Sequence, residues 1–68
     1  MIEIAGINGS ASFFLNVAEI ESIFEREGNT SEIVMLSEWR YRSIWSKDKI
    51  AEKINQFIIA SIVSNDAN

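Results

Sequence analysis

The apolar pattern of this chain changes period once, at Ser46. Beyond that residue Ile50, Ala51, Ile54, Phe57, Ile58 and Ile62 recur at intervals of three and four, the spacing of one helix face. Ser46 is a natural N-cap, since its hydroxyl accepts from the free amides of a first turn, and Asp48 sits where the helix dipole favours an acid. The pattern predicts a helix over about residues 47–63, with 64–68 as a polar tail that frays. Ahead of Ser46 the apolar residues fall in short alternating or compact runs separated by turn residues, which is how strands read. Short strands followed by one helix bury their apolar faces most simply as an α+β unit. The expected fold is therefore a small curved antiparallel sheet of three to five strands with the C-terminal helix packed on it, a single domain over residues 1–63.

Ile2-Glu3-Ile4 alternates, and Asn8-Gly9 follows as a hairpin signal, because both residues tolerate positive φ. Ser12 to Leu15 supplies a second strand with Phe13 and Leu15 on one face, and Asn16 to Glu19 reads as a short turn capped by Asn16. Ile20, Ile23 and Phe24 fit a helix by position, yet the β-branched content and the turn after Arg26 favour a strand, which is the preferred reading. Glu27-Gly28-Asn29-Thr30 is a turn, Ile33 to Leu36 a central strand covered on both faces, and Ser37-Glu38 the next reversal. From Trp39 to Trp45 the chain alternates, with Trp39, Tyr41, Ser43 and Trp45 facing one way and Arg40, Arg42 and Ile44 the other.

Composition removes whole classes of chemistry. The 68 residues contain no Cys and no His, so disulfides and thiolate sites are excluded and the usual zinc ligand and neutral-pH base are missing. No Ser lies in a nucleophile elbow, and the Gly-Ile-Asn-Gly-Ser stretch has neither the spacing of a dinucleotide fingerprint nor the Lys of a phosphate loop. We expect no enzyme, no cofactor and no metal. No apolar stretch approaches a membrane span, and Met1-Ile2-Glu3-Ile4 lacks the basic start of a secretory signal, so a cytoplasmic setting is expected. A domain this small usually needs an external support, and what remains is oligomerisation or a partner.

Charge is unevenly placed. Residues 1–38 carry Glu3, Glu19, Glu21, Glu25, Glu27, Glu32 and Glu38 against Arg26, whereas Arg40, Arg42, Lys47, Lys49 and Lys53 outnumber the acids of residues 39–68. An acidic chain is unsuited to phosphate backbones, so direct nucleic-acid binding is not expected; a basic protein surface suits it better. Within a strand, Glu19 with Glu21 and Glu25 with Glu27 would each share a face. Hydrolytic use of such pairs needs a deep cleft, and edge charges that discourage aggregation are the plainer role. Trp39-Arg40-Tyr41-Arg42 interleaves aromatics with bases, but alternation sends them to opposite faces, with the aromatics in the core; an exposed Trp39 or Trp45 would instead be a contact anchor. On the back of the helix Lys49, Glu52, Lys53 and Gln56 are followed by Ile59 and Val63. Two apolar faces in the C-terminal half imply either a sheet that wraps the helix end or a second contact, with another protein or in a homodimer.

The order of these signals is similar to one family. A short strand, Asn8-Gly9, a strand ending Leu15-Asn16, Ile20-Glu21-x-Ile23, a turn with Thr30, Ile33 to Leu36, an aromatic strand at Tyr41, Ser46 and Glu52-Lys53-Ile54 together resemble the FlbD family of small flagellar-motility proteins, over about residues 1–58. The chain departs from that family at Ser37-Glu38-Trp39, where a Gly turn is usual, and in the longer stretch Ser10-Ala11-Ser12. The resemblance implies a motility setting and no particular chemistry. The strand, turn and Ser-helix rhythm is also similar to LytTR-type DNA-binding domains, which bears on fold alone.

The expected function is thus non-enzymatic binding of another protein, with Ile59, Val63, Trp39 and Tyr41 as candidate contacts. The alternative is a phage or mobile-element inhibitor, anti-CRISPR-like in its small, acidic and Cys-free profile. Its Glu19, Glu21, Glu25, Glu27 and Glu32 would mimic nucleic acid against a basic channel of a host enzyme or defence complex.

Overall fold

The computed structural model describes residues 1–7 and 11–66, with side chains through Ile62. It has five strands and one helix: β1 (Ile2–Ile4), β2 (Phe13–Leu15), β3 (Ile20–Arg26), β4 (Thr30–Met35), β5 (Arg40–Ser43) and α1 (Lys47–Asp66). The fold is α+β. The strands form two antiparallel sheets, β1-β2 and β3-β4-β5, where a single curved sheet is expected from sequence. An isolated antiparallel bridge between Gly6 and Ser43 joins them.

Local hydrogen bonding explains the element ends. The Asn16 side chain accepts from Ala18 N at 3.0 Å, which closes a 3₁₀ turn over Val17–Glu19 and delivers the chain into β3. Residues 20–26 are a strand. Gly28 and Asn29 both take positive φ, 69° and 59°, in the turn to β4, and Thr30 Oγ1 donates to Glu27 O across it. Ser46 caps α1 as its sequence position suggests, accepting from Lys49 N at 3.2 Å. The Asn8-Gly9 turn lies outside the described residues. The register of β1 on β2, Ile2 with Leu15 and Ile4 with Phe13, is that of an antiparallel pair, and it puts all four side chains on the core side.

Ile2, Ile4, Leu15, Ile33, Met35 and Ile50 form the core, with Phe13, Val17, Ile20, Ile23, Tyr41, Trp45 and Ile54 packed around it. β4 is central in its sheet, and Ile33 and Val34 point to opposite faces yet are both buried. Leu36 falls just beyond that strand and is exposed.

Two expectations need correction. Trp39 is 64% exposed and is not core, because β5 begins at Arg40 and Trp39 lies on the turn, past the end of Met35 and beyond any covering layer. The helix runs to Asp66, past the expected end at Val63, and it does not lie on the sheet along its length. It packs against β1 and β3 through Ile50 and Ile54. A helix of 20 residues is about 30 Å long, whereas the three residues of β1 span only about 10 Å, so the layer beneath runs out after two turns. The molecule is correspondingly elongated, 42 × 22 × 20 Å.

Candidate functional site

The helix divides into a docked half and a free half. In the docked half Ile50 is fully buried, and Lys49 and Lys53 hold their ammonium groups 4.9 and 5.9 Å from the centre of the Trp45 ring. Those stems screen the indole from water and account for its half-buried state. In the free half Phe57, Ile58, Ile59 and Ile62 are 36%, 44%, 52% and 53% exposed. Ile58, Ile59 and Ile62 fall within about 100° of one another around the helix and make an apolar patch on a projecting rod, with Phe57 to one side of it. Ile59 lies in this patch, as the sequence suggests. The Val63 side chain is outside the described residues. Phe57, Ile58 and Ile62 were expected beneath the helix, and only the shortness of the strands brings them to the surface.

A second apolar surface lies at the tip of the β4–β5 hairpin. Met35 N donates to Trp39 O at 2.8 Å and Glu38 N to Met35 O at 2.9 Å, and Glu38 takes φ 74° to close the turn. This leaves Leu36 and Trp39, at the two ends of the turn, both exposed. The Trp39 ring is 6.4 Å from that of Tyr41, which is itself stacked on Phe13 at 4.9 Å and ties the two sheets together. Trp39 is therefore the accessible aromatic and Tyr41 is a packing residue.

The acidic residues separate into different environments. Glu19 belongs to the 3₁₀ turn and Glu27 to the β3–β4 turn, so neither Glu19/Glu21 nor Glu25/Glu27 is a same-face strand pair. Glu32 sits mid-strand on the outer sheet face, opposite Phe24 on one side and Arg42 on the other. Its carboxylate accepts from Arg26 and lies 3.5 Å from Arg40. The hydrogen bond from Arg26 chiefly, with the positive charges of Arg26, Arg40 and Arg42, lowers the Glu32 pKa below its ordinary value. Glu32 is thus a partnered acid among three guanidinium groups, while Glu19, Glu21, Glu25 and Glu27 are exposed. The outer face also carries Phe24 under the Arg26 guanidinium at 5.5 Å, two residues along β3 on the same face.

A shallow open depression lined by Glu21, Val34, Glu38 and Arg40 lies on the same face. Among the described residues no group of three or more acidic side chains is placed to hold a metal ion, and no helix is long and apolar enough to cross a membrane. The chain matches no family model, no curated protein and no solved structure.

Proposed function

We propose that this protein is a non-enzymatic, cytoplasmic interaction module that presents the free half of α1 to another protein. The sequence resemblance to the FlbD family supports a partner in the flagellar or motility apparatus. One observation carries the reading: Phe57, Ile58, Ile59 and Ile62 are exposed together on a helix half that its own sheets do not cover. Apolar side chains with charges excluded from the middle of the patch are what the buried centre of a protein interface is made of. The Trp39 tip supplies a second anchor. The acidic-inhibitor alternative retains Glu19, Glu21, Glu25 and Glu27, but one of its five carboxylates, Glu32, is already occupied by Arg26 and Arg40.

Affinity capture from the native host lysate, at low and high salt, tests the proposal with the wild-type chain and the Ile59→Lys/Ile62→Lys variant. Motility components captured at both salt concentrations by wild type and lost from the variant would support it. Capture of a nuclease or defence complex, lost at high salt and unchanged in the variant, would replace it with the acidic inhibitor.

A further inference from the structure

We infer that the free face of α1 is a self-pairing seam, on which a second copy of this chain docks in parallel with Asn55 against Asn55 of that copy. This rests on the reading of α1 as an interaction surface and adds a second copy of this chain, which competes with the other partner for Ile58 and Ile62. Ala51, Asn55, Ile58 and Ile62 follow one another at intervals of four, three and four, the a/d spacing of paired helices, and all four are exposed. At about 100° per residue this line lies about 90° around the helix from the docked pair Ile50 and Ile54. The sheets therefore stand to the side of the seam and leave it clear.

The sequence along the seam selects the partner and its direction. In a parallel pair Ile58 and Ile62 meet their own counterparts, and the two Asn55 amides meet each other and can hydrogen-bond. In an antiparallel pair each Asn55 would face an apolar residue and leave a buried amide unsatisfied, which is costly. Lys47 and Glu52 agree with the parallel arrangement, and Asp48, one step before Ala51, meets its own counterpart only at the open end of the seam. Lys47 and Glu52 stand five residues apart on opposite sides of the seam, so Lys47 of one copy faces Glu52 of the other. The seam covers only about three turns, and an interface of this size lies at the weak end of the range, so the pair exchanges with monomer at submillimolar protein.

The chain has no Cys, so single substitutions give clean cross-linking probes. Under mild oxidation Asn55→Cys should form a two-chain disulfide at least tenfold faster than Gln56→Cys, which lies about 100° further around the helix and off the seam. Adding Ile58→Lys should abolish the difference. Lys47→Glu should weaken self-association in sedimentation, and Lys47→Glu/Glu52→Lys should restore it. Equal cross-linking rates for the two cysteines, with normal circular dichroism, would overturn the parallel seam. So would a sedimentation coefficient that stays monomeric at submillimolar wild-type protein. Either result leaves the interaction reading intact, because that reading fails only if Ile59→Lys/Ile62→Lys captures the same proteins as wild type.

Discussion

Ser31 and Ser43 face each other across β4 and β5, both fully buried, and together they bind the backbone of Trp45 at both its polar groups. Ser31 Oγ donates to Trp45 O at 2.9 Å, and Ser43 Oγ accepts from Trp45 N at 3.0 Å. The sheet thereby fixes where the chain leaves β5, one residue before the Ser46 cap, and so aims α1. Replacing either serine by Ala strands a buried backbone group, at a cost of about 1–3 kcal/mol. We expect Ser31→Ala and Ser43→Ala each to lower the urea midpoint clearly. A change no larger than that of an exposed control such as Ser12→Ala would mean that water serves these groups equally well.

The division of α1 into docked and free halves predicts unequal costs for similar truncations. Ile50→Ala removes a fully buried side chain and should cost about 2–5 kcal/mol, a large share of what a domain this small possesses. Ile62→Ala, at a half-exposed position, should change monomer stability by less than about 1 kcal/mol. Urea unfolding at low protein concentration separates the two. Equal losses would mean that the C-terminal half packs on the body.

Glu38 closes the β4–β5 turn in the left-handed region, with φ 74°. That conformation costs an ordinary L-residue about 1–2 kcal/mol, partly offset on substitution by the greater entropy glycine loses on folding, about 0.5–1 kcal/mol. Glu38→Gly should therefore raise the thermal midpoint by a few degrees. Lack of any gain would indicate that the Glu38 side chain makes a compensating contact at the edge of the Glu21–Arg40 depression.

Glu32 couples the outer sheet face to pH. Its folded pKa lies below the ordinary value of 4.5, so its contribution to stability is present above that value and is lost as pH falls through the lowered one. Stability should decline below the ordinary carboxylate range, and Glu32→Gln should flatten that part of the profile and weaken its salt dependence. An identical acid profile for the variant would show that the pairing with Arg26 and Arg40 contributes nothing to folding.

What the sequence made legible was local. The Ser46 cap, the Asn16 turn, the Gly28-Asn29 reversal and the strand character of residues 20–26 all depend on residues within a few positions of one another. What it hid depends on where distant elements stop. Trp39 is exposed because β4 ends at Met35, and Phe57 to Ile62 are exposed because β1 is only three residues long; neither length is written in the helix or in β5. Ser31 and Ser43 were hidden for another reason. Serine is ordinarily a surface residue, and only the cross-strand register brings these two opposite each other beneath Trp45. Ile59 was identifiable as a contact candidate because it broke the polar pattern of its own helix face.

Photo-crosslinking in the native host tests the interaction surface most directly, with a photoreactive amino acid placed at position 62 or, in a separate strain, at position 27. Position 62 should give a discrete cross-linked product, to a motility protein or to a second copy of this chain, and position 27 should give none. Products from position 27 alone would contradict the helix surface and move the contact to the acidic half of the molecule.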